Sequence, residues 1–152
     1  MKYNIQYKGI LIFIAVMTVV FGLYGFNFNT AKAVINKQIN YQGKLFTGTN
    51  TPVSDGGYNI KYRLYTTSTG GSPIWTETLC YSSDNGNTCD GTGTDNRVSV
   101  SNGLFSTMLG SVTSLDIVDF NQTLYLGVEI GGNSASSATW DGEMTPRKKI
   151  GA

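Results

Sequence analysis

The chain has 152 residues, with 11 basic and 10 acidic side chains and no histidine. A balance so close to neutral offers no broad electrostatic footprint for nucleic acid or for anionic lipid. The missing imidazole removes Ser-His-Asp and Cys-His catalysis and the usual zinc hydrolase centres.

At the N-terminus, Lys2 and Lys8 precede an uncharged run from Gly9 to Ala31, most apolar over Ile10 to Val20, and Ala31-Lys32-Ala33 follows. A basic region, an apolar region and an A-x-A site predict a secretory signal peptide over residues 1–33, formed as a signal helix and cleaved after Ala33. The rival is an uncleaved anchor over Gly9 to Phe26, long enough to be considered as a span. Both readings keep the lysines inside and put residues 34–152 outside the cytoplasmic membrane. The expected location is therefore secreted or cell-surface, and the membrane is a partner only through the N-terminal segment.

Residues 34–152 suit one domain with one core. Only 14% of the chain is charged, against about 25% in an average domain, and Gly, Thr, Ser, Asn and Tyr abound. That composition favours strands and turns over helices. Ile35 to Leu45 alternates loosely, with Ile39 and Tyr41 on one side and Asn40 and Gln42 on the other. A loop with Thr51-Pro52 and Asp55-Gly56-Gly57 follows. Gly57 to Tyr65 is the clearest strand: Tyr58, Ile60, Tyr62 and Leu64 share one face, and Asn59, Lys61 and Arg63 the other, which reads as solvent.

After a turn at Gly70-Gly71 and Pro73, a third strand runs from Ile74 to Tyr81. Trp75 and Leu79 face its core side, so Glu77 on the same side needs a partner or an edge position. Ser82 to Asn96 is a polar, Gly-rich excursion without periodicity. Val98 and Val100 lead into Ser101-Asn102-Gly103, a strong hairpin signal, and Leu104 to Gly110 returns. A connector with Leu115 and Phe120 as plugs, capped by Ser114, precedes Thr123 to Ile130, where Leu124, Leu126, Val128 and Ile130 share a face. Gly131 to Thr139 is a loop, and Trp140 to Ala152 holds a last extended segment. About seven short strands separated by turns predict an all-β fold, an antiparallel β-sandwich of immunoglobulin-like or transthyretin-like type.

Cys80 and Cys89 are expected to form a disulfide in an exported domain, tying the third strand to the polar excursion. For catalysis by paired carboxylates the candidates are Glu77, Glu129, Asp141 and Glu143. Their structural reading prevails: Glu77 and Glu129 as solvent-side strand residues and the other two as loop residues, so no catalytic residue is assigned. Asp84, Asp90 and Asp95 lie near glycines and carry oxygen ligands that suit calcium, but they lack an EF-hand register, and no other cofactor is expected. Trp140 beside Asp141 has the make-up of a sugar-stacking site, or of a latch for the last strand. Arg147-Lys148-Lys149 reads as a solvated terminus.

Several segments occur together in this order: Ile39-Asn40-Tyr41-Gln42-Gly43-Lys44-Leu45, Gly57 to Tyr65, Trp75-Thr76-Glu77, Val98 to Ser106, Leu109-Gly110, Tyr125-Leu126-Gly127-Val128 and Glu143-Met144-Thr145-Pro146-Arg147. The chain in this respect resembles the β-sandwich module near the N-terminus of large secreted, surface or tail-fibre-like proteins of uncultured bacteria. That resemblance implies an exported, non-catalytic structural or adhesive role, with protein or glycan partners outside the cell and no nucleic acid. In such proteins the Met-x-Pro-Arg segment runs on into a longer stalk. This chain stops at Ala152 and is either a stand-alone module or a fragment of a longer product; Ile150-Gly151-Ala152 ends mid-pattern, so the fragment is the expectation, with homo-oligomerisation through the missing C-terminal continuation. The competing reading is a carbohydrate-binding module using Trp140, with or without calcium at the Asp84–Asp95 loop.

Overall fold

The computed structural model describes residues 37–150. The signal segment expected over residues 1–33, the start of the first strand and the last two residues lie outside the described residues. All regular structure among the described residues is β: β1 (Ile39–Lys44), β2 (Gly56–Tyr58), β3 (Ile60–Tyr65), β4 (Trp75–Leu79), β5 (Tyr81–Ser82), β6 (Thr94–Asp95), β7 (Val98–Ser101), β8 (Leu104–Leu109), β9 (Leu124–Ile130) and β10 (Lys148–Ile150). They form two four-stranded sheets, ordered β1-β8-β7-β2 and β10-β9-β3-β4, and a two-stranded sheet β5-β6. Every pairing is antiparallel.

The two larger sheets feed one buried cluster. Val98, Val100 and Leu109 come from the first, and Ile60, Leu64 and Leu126 from the second. Tyr41 of β1 meets Tyr62 of β3 edge to face, with ring centroids 5.6 Å apart. The Asn102-Gly103 turn between β7 and β8 has φ of 51° and 75°, the positive pair that a two-residue hairpin with right-handed strand twist requires. Asp55 braces it, accepting the Asn102 N–H at 2.7 Å and the Ser101 hydroxyl at 3.0 Å.

The strand expected from Gly57 to Tyr65 is two strands in two sheets. Tyr58 pairs with Val98 in the first sheet, and Ile60 pairs with Leu79 and Ile130 in the second. The chain switches sheets at Asn59. Its N–H donates to the Gly132 carbonyl and its own carbonyl accepts from Gly131, both at 2.8 Å. Alternation survives the switch, so Tyr58, Ile60, Tyr62 and Leu64 are all buried. A period of two reports which side of the chain is apolar and is blind to which sheet receives it. This split, the separation of β5 from β4, and the short β6 account for ten strands where about seven were expected.

Two corrections concern carboxylates. Glu77, expected on the solvent side, is 0% exposed and faces the core, whereas Glu129 does lie on the outer side of its strand but is only 8% exposed, covered there with Lys61 and Arg63 as partners. Glu77 lies opposite Tyr62 in the register, on the core side of β4. It accepts backbone N–H bonds from Gly110 (3.0 Å), Val112 (2.7 Å) and Thr113 (3.0 Å). A charge is tolerated in the core because these donors replace its water. Trp75 adds its indole N–H to the Thr113 and Ser114 carbonyls. The loop after β8 is thereby tied to β4, and it seats Leu115 and Val118 in the core.

Candidate functional site

The β10-β9-β3-β4 sheet has an outward face made by the residues between the core positions. On β3 these are Lys61, Arg63 and Tyr65, and across from them on β9 stand Glu129, Gly127 and Tyr125. Thr78 of β4 flanks Lys61 on the other side. Residues 139–147 run along β9 and fold side chains over this face. The Thr139, Asp141 and Met144 N–H groups donate to the carbonyls of Gly131, Ile130 and Val128.

At one end of the face the C-terminal segment closes it. Glu143 accepts from the Tyr65 hydroxyl at 2.5 Å and from Arg147 Nε at 2.6 Å. Arg147 stacks on the Tyr65 ring, 3.3 Å from its centroid, and donates to the Thr67 and Gly70 carbonyls. The Glu143 carboxylate occupies the space a Cβ would need at Gly127, so a side chain there would push the latch carboxylate aside. Burial raises the Glu143 carboxyl, but the Tyr65 and Arg147 hydrogen bonds outweigh it and leave the group below its ordinary value. Arg147, expected in a solvated terminus, is instead the pin of this latch.

At the other end the face stays open. Lys61, Thr78, Gly86, Asn87, Ser137 and Trp140 line a groove of ≈ 500 Å³, with Thr88, Cys89 and Ala138 completing it. One wall is the loop closed by the Cys80–Cys89 disulfide, whose Cα atoms are 5.6 Å apart. Gly86, at φ 86°, turns this loop back onto β4 so closely that a Cβ there would clash with the Thr78 carbonyl oxygen. Asp84 holds the turn from behind, accepting from Ser82 Oγ (2.5 Å), Thr88 N (2.9 Å) and Thr88 Oγ1 (2.6 Å). The Ser82 hydroxyl first, and then Thr88, hold the Asp84 carboxyl at about 2.

The opposite wall is the 131–139 loop with Trp140. Asn59, fully buried, sends its amide to the carbonyls of Ser134 (2.8 Å), Gly132 (3.3 Å) and Gly131 (3.4 Å). Arg97 ties the segment that follows the disulfide loop to this wall, pairing with Asp95, itself across from Tyr81, at 2.7 Å and donating to the Asn133 carbonyl at 3.1 Å. The Gly91 backbone packs directly against Ala135 and Ser136.

The floor is Lys61. Its Nζ sits 3.9 Å from the centroid of the Trp140 ring and 3.9 Å from Glu129 Oε2, while Arg63 holds the same Glu129 oxygen at 2.8 Å. Burial pushes the Lys61 ammonium below its ordinary value, and Glu129 acts in the opposite sense. Asn59, Lys61 and Arg63 are thus not an ordinary solvated face: one anchors a wall, one floors the groove and one neutralises Glu129.

The expected site residues divide accordingly. Cys80 and Cys89 are bonded to each other. Trp140 and Cys89 border the same groove, whereas Asp141 is exposed outside its lining. Asp84, Asp90 and Asp95 are engaged separately, with Ser82 and Thr88, with Thr92, and with Arg97. Among the described residues no three acidic or cysteine side chains gather as a metal-holding group. Sequence reasoning missed Lys61, Thr78 and Asn59. The available signal was that Lys61 and Arg63 alternate with core residues on the same strand, which fixes them on one outward face.

Comparison with curated proteins and with solved structures finds no match. A family described as a domain of unknown function, DUF8740, matches residues 40–147, from the first strand to the Arg147 latch. The chain belongs to the DUF8740 family.

Proposed function

We propose that the chain is an exported, non-catalytic module of a secreted or cell-surface protein, with a structural or adhesive role like that of the fibre-like proteins it resembles. The observation that carries this reading is the employment of its strand and latch carboxylates. Glu77 holds three backbone N–H groups, Glu129 is paired with Arg63, and Glu143 is shared by Tyr65 and Arg147. A general acid or base needs a proton that can come and go beside a substrate, and these three groups are committed to architecture. The disulfide fits an oxidising compartment. The fold type in this reading is a β-sandwich of immunoglobulin-like or transthyretin-like kind, supported by two antiparallel sheets that share one core.

The test is location and thiol state. Full-length tagged chain, expressed in a bacterium and fractionated, should be recovered outside the cytoplasm and resist thiol alkylation until reduced. A protein that accumulates in the cytoplasm with both thiols reactive contradicts the reading. So does glycan or ester turnover that disappears in Glu143→Gln while the fold is retained.

Carbohydrate binding is favoured as the mode of adhesion by one observation: Trp140 and the Cys89 loop meet at a single groove.

A further inference from the structure

We infer that the groove between the disulfide loop and Trp140 binds an acidic saccharide, and that the Lys61 ammonium is the group that recognises its carboxylate. This rests on the reading of the chain as an exported adhesive module and names the ligand class of that module.

Four observations lead to it. The lining contains one cation and no carboxylate, with the hydroxyls of Thr78 and Ser137 and the amide oxygen of Asn87 around it, the Asn87 Nδ2 donating to the Asp84 carbonyl. Such a set satisfies a ligand rich in hydroxyls that carries one negative charge. Second, Lys61 lies over the indole of Trp140. That ring face is not a free platform for a neutral sugar; it backs the ammonium and fixes its position. Third, the counter-ion is shared unequally. Arg63 holds Glu129 at 2.8 Å and Lys61 stands at 3.9 Å from the same oxygen, so the ammonium keeps donors for a ligand. Fourth, the walls are pinned before anything binds, by the disulfide on one side and by Asn59 on the other, which lowers the ordering cost of binding. The volume, ≈ 500 Å³, falls in the usual range for small-molecule sites.

An acidic peptide fits less well. Strand addition needs an open sheet edge, and Gly86 lies against the Thr78 carbonyl on β4.

The test uses the oxidised full chain. Digalacturonate, cellobiose and tetraglutamate are titrated separately and followed by amide chemical-shift changes and calorimetry. Digalacturonate should bind saturably, shift Lys61, Asn87 and Ser137, and weaken as ionic strength rises. Lys61→Met, which keeps the stem over the indole, should weaken it by about tenfold or more, and cellobiose should bind at least about tenfold more weakly than digalacturonate. Thr78→Val, which leaves every charge in place, should weaken binding by a smaller factor and serves if Lys61→Met fails to fold. No binding of digalacturonate overturns the inference. So does equal binding of cellobiose or tetraglutamate, or full affinity in both variants. Failure here by an exported, oxidised protein leaves the adhesive-module reading standing. Saccharide binding by a protein that stays reduced in the cytoplasm would remove that reading and leave the groove.

Discussion

The two walls of the Lys61 groove are held by different means. The 80–89 wall is closed by a covalent bond that stays with the chain when it unfolds, whereas the 131–139 wall is held by non-covalent bonds alone: backbone pairs at its base, the buried Asn59 amide and the Arg97 guanidinium. A covalent link acts largely on the unfolded chain, by limiting its freedom. A buried amide acts on the folded state alone, by supplying donors to carbonyls of the loop it holds. Two loops of the same small domain therefore have different vulnerabilities: one to reductant, the other to a single side-chain truncation.

Breaking each wall in turn measures the difference. Replacing Cys80 and Cys89 by Ser should cost about 2.5–3 kcal/mol, the chain-entropy value for a closed loop of about ten residues, read by urea denaturation. Asn59→Ala should cost about 1–3 kcal/mol, because it removes the donor from the 131–139 carbonyls. Its loss should appear as faster amide exchange in residues 131–139, with the disulfide intact.

The latch at the far end of the same sheet sharpens the contrast, since it is ionic and responds to pH. Glu143→Gln should cost about 1 kcal/mol. The folded Glu143 carboxyl lies below its ordinary value of 4.5, so its contribution is complete above that value and is lost as pH falls through the folded pKa. The mutant should therefore converge with the parent in acid and differ from it at neutral pH. The smallest effect is a titration: the Asp84 side-chain carboxyl should titrate near 2, and Thr88→Val should move it toward its ordinary 3.8, as read by carbon NMR.

The covalent wall was legible because two cysteines nine residues apart, in a chain with no histidine and no further thiol, have few other uses. The apolar faces of β3 and β9 were legible for a similar reason: Tyr58 to Leu64 and Leu124 to Ile130 alternate strictly, and each of these alternating residues is buried. The Asn59 wall was not. Alternation assigns Asn59 to the polar side, and nothing local says that the chain changes sheets there and that Gly131, Gly132 and Ser134 will bring carbonyls to it. Glu77 hid in the same way. Its three donors come from a loop more than thirty residues away, so the sequence exposed an unpaired acid on a core face without the partner that resolves it. Trp140 was legible as a candidate, but its role was not. The lysine that covers its ring sits on a distant strand and looked like ordinary solvent exposure.

The β10-β9-β3-β4 sheet carries two walls pinned by different means and touching through Arg97 and Gly91. Native-state hydrogen exchange with and without reductant tests this most directly. Reducing Cys80–Cys89 should speed exchange in residues 82–97 and, through the Arg97 and Gly91 contacts, more weakly in 131–139. The β3 and β9 amides should keep their protection. Loss of protection spread evenly over both four-stranded sheets would contradict it.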